Sequence, residues 1–213
     1  MNFNEFIAAL KERLNGALPG LPAQLKMSSM ARIGELMKFV QSDDPIKSSV
    51  LILFYPYQDD IGLVLILRPT YPGVHSGQIS LPGGKYEEED DSLVYTALRE
   101  AKEEIGINPL QVHVLGQLTD LYIPPSRYIV TPVLGFMTSR PEFKAEPNEV
   151  AKIIEIRISD FMNDHIIQRK KMKLALGISI KFPAYVLDGN VVWGATAMML
   201  SELREMINDF DYS

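Results

Sequence analysis

The chain of 213 residues contains no cysteine. That excludes disulfide staples, thiolate zinc sites and a cysteine nucleophile, and it leaves the redox compartment open. Long apolar runs are also missing: nothing approaches the roughly 18 consecutive apolar residues of a membrane-span candidate. No secretory leader is visible, because the first fifteen residues, MNFNEFIAALKERLN, interrupt their apolar positions with Glu5 and Glu12. The last residues, DFDYS, match no peroxisomal or retention address. Repeats, low-complexity tracts and a domain-separating linker are equally lacking. The expectation is one soluble, cytoplasmic domain over 1–213, with 1–47 as a helical extension packed on it and no membrane partner. Tryptophan occurs once; Trp193 precedes a helix start, as core packing or as a base-stacking face.

Acid is in excess, and in one place. The net charge is −6, and between Lys85 and Glu104 eight acids face three bases. The acidic balance argues against nucleic acid as a partner. Its concentration in one window argues for a cation site.

Phe3, Phe6, Ile7, Leu10 and Leu14 recur at helical spacing, and PGLP (19–22) is expected to stop that helix. A weaker helical pattern surrounds ARIGELMKFV (31–40). SSVLILFYP and IGLVLILRP read as strands joined by YQDD. A glycine- and proline-rich segment, PTYPGVHSGQISLPGGK, leads into the acidic window and a helix over about 92–105. Strand-like runs follow at VHVLGQLTDLY, YIVTPVLGFM and VAKIIEIRI, then a short helix near SDFMND. Short strands are expected near ISIKFPAYVLD and NVVW, and a closing helix over GATAMMLSELREMINDF. Strands before, between and after helices indicate an α/β sandwich, helices covering both faces of a mixed sheet.

Within ALREAKEEIGI (97–107), Glu100, Glu103 and Glu104 stand three and four apart. Like charges at that spacing cost about 0.2–0.5 kcal/mol per pair. At about 100° per residue, Val94, Ala97, Leu98, Ala101 and Ile105 fall on one side, and the three acids are expected opposite them. A solvated face is the commonest reason for clustered charge, but such faces intersperse bases. Here Lys102 points elsewhere and only Arg99 borders the acids. The alternative is a site for a hard cation, magnesium or manganese, which takes oxygen ligands. Upstream, Gly83 and Gly84 permit a close approach of ligand to backbone.

Gly84, Arg99, Glu100, Ala101, Glu103, Glu104, Gly106 and Ile107 follow one another as in the box of the Nudix hydrolases, which this chain resembles. Fourteen residues separate Gly84 from Arg99 where that box has thirteen, so its first acid falls on Asp90 or Asp91. The resemblance implies a Nudix-type α/β/α sandwich with an added N-terminal helix, and hydrolysis of a diphosphate joined to another moiety. It implies Mg²⁺ or Mn²⁺ held by Glu100, Glu103 and Glu104, with Arg99 orienting the carboxylates. The general base is Glu103 or a loop carboxylate, for which Glu149 is the candidate.

The preceding segment, LVLILRPTYPGVHSGQISLPGG, resembles the extended signature of the coenzyme A pyrophosphatase branch. Arg68, His75, Gly77, Gln78, Pro82, Gly83 and Gly84 match in order and spacing. Ile66, Pro69 and Leu81 depart from it, and Gly73 stands where that signature has an arginine. Glycine cannot imitate a bidentate phosphate ligand; Arg127 is the candidate replacement. The resemblance implies substrate contacts at Arg68, His75, Gln78, Gly83 and Gly84. Arg68 reads otherwise as a surface ion pair, His75 as a capping or exposed residue, and Gln78 as a loop brace. The substrate is coenzyme A or another nucleoside diphosphate derivative, such as ADP-ribose, NADH or a dinucleoside polyphosphate; an idle nucleotide-binding module is the non-catalytic alternative. The apolar stripe of the first helix suits packing on its own domain or across a homodimer.

Overall fold

The computed structural model describes residues 1–29, 45–70, 76–124, 126–173 and 179–210. The two longest apolar runs lie side by side at its centre. β1 (Ile46–Tyr57) and β2 (Asp60–Leu67) form an antiparallel hairpin. Their side chains alternate between two cores. Leu51, Leu53, Tyr55, Val64 and Ile66 enter one; Ile52, Phe54, Leu63 and Leu65 enter the other. A strand buried on both faces carries a continuous apolar run rather than an alternating one, which is what LILFY and LVLIL show.

Around this hairpin, an eight-stranded mixed sheet is assembled among the described residues. β3 (Ile79–Ser80) and β4 (Gly83–Lys85) pair with β2 and β1. They occupy the glycine- and proline-rich segment, for which no strand was expected, since two- and three-residue strands offer no period to read. α3 (Leu93–Ile105) follows the two N-terminal helices given below. β5 (His113–Gln117) and β6 (Leu121–Ile123) both pair antiparallel with β7 (Tyr128–Phe136), so the single expected strand over 112–122 is two. β7 runs parallel to β1, with Val50 opposite Pro132. β8 (Lys152–Arg157) closes the far side against β2.

Helices cover both faces, as expected. α3 packs Ala97, Ala101 and Ile105 on one. On the other lie α1 (Phe3–Leu14) and α5 (Gly194–Met206), through Phe6, Leu10, Met198 and Leu203. α1 opens with a capping box between Asn2 and Glu5 and ends at Asn15. PGLP therefore does not stop it but opens a second helix, α2 (Gly20–Leu25), with Pro22 in the first turn where no amide hydrogen is needed. The extension expected over 1–47 gives way to β1 at Ile46, and the pattern at 31–40 lies outside the described residues. α4 (Ile158–Phe161) is shorter than SDFMND suggested. A three-stranded sheet of β9 (Ile167–Lys173), β10 (Ser179–Leu187) and β11 (Asn190–Val192) completes the fold. β9, IQRKKMK, was not anticipated, because its charges hide any strand pattern.

Candidate active site

α3 begins where the Ser92 hydroxyl accepts the Tyr95 amide at 3.2 Å and ends at Gly106. Between these ends its acids meet different fates. Glu104 is 2% exposed. It lies beside Ala97 and Ala101 at the edge of the apolar face, not opposite it. Its carboxylate accepts the Gly83 amide at 2.7 Å and sits 3.5 Å from an Arg68 nitrogen. Burial pushes its pKa up to about 7; Arg68 and the Gly83 amide pull it down, and Glu100 and Glu149 push it further up. Glu100 is half-buried and also raised, again mainly by burial, although Arg99 opposes the shift from 3.0 Å. The side chain of Glu103 is 53% exposed and paired with Arg99 at 3.1 Å.

The acidic loop supplies a fourth carboxylate. Asp90 is 3% exposed, while Asp91 is exposed. The Arg99 fork grips Asp90 with Nε to Oδ1 at 2.9 Å and Nη2 to Oδ2 at 3.1 Å; the Thr96 hydroxyl donates to the same Oδ2 at 2.8 Å. Hydrogen bonding to Arg99 first, then to the Glu87 amide and Thr96, lowers the Asp90 pKa to about 2 against a desolvation penalty. Arg99 Nη2 also donates to the Lys85 carbonyl at 3.0 Å. One guanidinium thereby ties the loop, the β4 end and two α3 glutamates together, a bidentate geometry that arginine supports and lysine does not.

Two glycines let the helix approach the sheet. Gly83 has φ +150, and a Cβ there would strike the Ser49 carbonyl and Val50. A Cβ at Gly84 would overlap the Glu100 carboxylate. The space that a side chain would fill at 84 is held by an acid.

These groups line a cavity of about 480 Å³. Glu100, Glu104, Glu149, Arg68 and the Gly83–Gly84 segment all line it. The loop bearing Glu149 is moored to α3, since the Glu146 amide donates to the Glu104 carbonyl at 3.0 Å and the Lys144 amide to the Ile105 carbonyl at 2.9 Å. The lining also takes the apolar side chains of Val50, Leu81, Ile123, Val130 and Met199, with Tyr128; Val50 is the strand partner of Gly83, and Ile123 that of Tyr128.

The expected site residues thus divide. Arg68, Gly83, Gly84, Glu100, Glu104 and Glu149 come together. Arg68 also braces the strands, donating to the Ser80 hydroxyl and the Gly83 carbonyl at 3.2 Å each. Arg99 stands behind the wall. Glu103 lies outside the cavity lining, as does Gln78, whose backbone carbonyl accepts the Arg68 amide at 3.0 Å. His75 and Gly73 lie outside the described residues. Arg127 is exposed between the lining residues Ser126 and Tyr128. Trp193 packs on Phe182 at 5.1 Å, and the lining instead takes Ala195, Thr196 and Met199 from the same end of α5. Sequence reading singled out neither Tyr128 nor Met199 of the lining; it met them only within a strand-like run and the closing helix.

Among the described residues, no three acids or histidines are grouped to grip one ion. The cavity wall nevertheless suits a hard divalent cation. It offers carboxylate oxygens on a rigid helix, and magnesium keeps several of its waters rather than demanding an all-protein cage. The two desolvated, mutually repelling carboxylates of Glu100 and Glu104 are the groups such a charge would relieve.

Comparison with known proteins decides the family. The model of the NUDIX domain matches residues 45–173. The chain belongs to the Nudix hydrolase family. It is 32% identical over 148 residues to the Nudix hydrolase NudL of Photorhabdus laumondii, covering 68% of this chain and 76% of that one. NudL of Yersinia enterocolitica is 33% identical over 148 residues, covering 68% and 74%. In fold, this Nudix hydrolase is similar to RenU of M. smegmatis (TM-score 0.54, 14% identity, 79% of this chain and 89% of that one). A MutT/nudix family protein from Enterococcus faecalis gives a TM-score of 0.53 at 16% identity, covering 87% and 72%. As a Nudix hydrolase, the protein is an enzyme of the class that cleaves diphosphate bonds of nucleoside diphosphate derivatives.

Proposed function

We propose that the chain is a Mg²⁺- or Mn²⁺-dependent hydrolase that cleaves the diphosphate bond of coenzyme A or a related nucleoside diphosphate derivative. The observation that carries this reading is the mixed lining of the cavity: Glu100, Glu104, Glu149 and Arg68 share it with apolar side chains. A diphosphate with an uncharged arm meets both demands, and the extended signature from Arg68 to Gly84 points to the same substrates. We read residues 1–213 as one working unit in a cytoplasmic setting.

In this reading Glu100 and Glu104 would hold the cation, which when bound neutralises phosphate charge and acidifies a water. The chain's own groups do the rest by position. Arg99 fixes Glu100 through the 3.0 Å contact and locks the loop through Asp90. Arg68 and the Gly83 amide keep Glu104 aimed at the cavity. Glu149, in the lining, is better placed than Glu103 to take a proton from water; Glu103 serves Arg99. Phosphoryl transfer needs little more than such positioning and charge compensation.

A second reading keeps the chemistry and changes the substrate to ADP-ribose, NADH or a dinucleoside polyphosphate. Gly73, in place of the signature arginine, favours it. The test is product analysis on coenzyme A, acetyl-coenzyme A, ADP-ribose, NADH and diadenosine polyphosphates, with each metal. Release of 4′-phosphopantetheine supports the first reading, and turnover of another diphosphate alone supports the second. No turnover with nucleotide binding intact would mean an idle module.

A further inference from the structure

A second buried glutamate lies one helical turn beyond the cavity. Glu202 of α5 is fully buried. Its Oε1 accepts the Gly20 amide at 3.1 Å, the Thr119 amide at 3.2 Å and the Thr119 hydroxyl at 2.7 Å. Its Oε2 accepts the Gln24 side-chain amide at 2.8 Å, which also donates to the Thr119 carbonyl at 2.9 Å. One residue earlier, the Ser201 hydroxyl donates to the Ala23 carbonyl at 2.8 Å. One carboxylate therefore joins α2, α5 and the segment between β5 and β6.

Two of these elements run directly into the cavity. Ala195, Met199 and Glu202 are spaced four and three apart, so they share one stripe of α5, and the first two line the cavity. Thr119 leads into β6, whose Ile123 lines the cavity opposite its strand partner Tyr128. The carboxylate wall rests on α3, across the sheet.

We infer that Glu202 is a positioning residue: with Thr119 and Gln24 it sets the spacing between α5 and β6, and thereby the apolar wall against which the uncharged arm of the substrate rests. This rests on reading the cavity as the diphosphate site. Charge-assisted bonds to a buried carboxylate are strong and geometrically demanding. Loss of one donor moves the wall without reaching Glu100 or Glu104. The signature is weaker substrate binding at undiminished turnover.

Thr119→Val removes the hydroxyl donor and keeps the shape; Thr119→Ser restores the donor. With coenzyme A and ADP-ribose as probes and Mg²⁺ present, Thr119→Val raises KM about fivefold and leaves kcat within about twofold. Thr119→Ser returns KM to the wild-type value, and Glu202→Gln shifts KM in the same direction as Thr119→Val. Trp193, the only tryptophan and the residue preceding α5, gives a readout independent of activity. Its emission and acrylamide quenching change in Thr119→Val and recover in Thr119→Ser. An unchanged KM with unchanged Trp193 signals overturns the inference. So does a loss of kcat at constant KM, which is what a smaller folded fraction produces. If the wild type turns over neither probe, the substrate reading fails, and Trp193 still decides whether the latch moves the wall.

Discussion

Glu104 and Glu202 are both buried on helices that flank the same sheet, yet their surroundings differ. Glu202 accepts four hydrogen bonds from protein donors. Glu104 accepts one short bond, from Gly83, and a long one from Arg68 at 3.5 Å, with Glu100 and Glu149 adding repulsion. A buried carboxylate saturated by its own chain is fixed in place. One left short of donors, facing a cavity, retains affinity for a charge from outside. The contrast separates a carboxylate saturated by its own chain from one short of donors at a cavity, without reference to any motif.

The sharpest way to break the comparison is Glu104→Gln. Turnover falls about a thousandfold, some 4 kcal/mol of lost transition-state stabilisation, in a product assay on the preferred diphosphate. The metal-free protein does not lose stability. The folded-state pKa of Glu104 is raised from 4.5 to about 7, so the folded wild type holds an extra proton in that interval. Metal-free wild-type stability therefore decreases as pH rises from about 4.5 to about 7. Denaturation across that range shows this slope in the wild type, and its loss in Glu104→Gln.

Glu202→Leu has the opposite profile. It strands the Gly20, Thr119 and Gln24 donors, and costs about 3 kcal/mol in urea titration. Equal costs at 104 and 202 would erase the distinction. Asp90→Asn comes next, at about 2 kcal/mol. The folded pKa of Asp90 is lowered from 3.8 to about 2, so its contribution is full above the former and disappears as pH falls through the latter. The acid limb of the stability curve flattens in the variant. Gly84→Ala is the mildest, about tenfold in kcat/KM and little in stability, because the Glu100 side chain can swing away from the new methyl group. A calorimetric melt beside the rate assay separates the two effects.

The cavity half of this comparison was legible in the sequence and the saturated carboxylate of Glu202 was not. Spacing put Glu100 and Glu104 on one helix, and the continuous apolar runs of β1 and β2 announced the centre of the sheet. The expectation that all three acids oppose the apolar face misplaced Glu104: at about 100° per residue it falls only about 20° from Ala97, with Glu103 on the far side; what spacing does not show is the Gly83 amide that meets the buried carboxylate. Asp90 and Asp91 are adjacent and chemically alike; the Arg99 fork chooses between them in space. Glu202 reads as a surface charge until Gly20, Gln24 and Thr119 arrive from distant parts of the chain. β9 was invisible because Arg169, Lys170, Lys171 and Lys173 overwrite its period.

The latch also has a consequence in time. Gln24 and Glu202 lie 178 positions apart. At about 5–20 residues per second on the ribosome, roughly ten to forty seconds separate their synthesis. α2 therefore emerges well before α5 and must wait for it before this contact can form. A nascent chain stalled before Glu202 carries α2 with this carboxylate anchor still unmade.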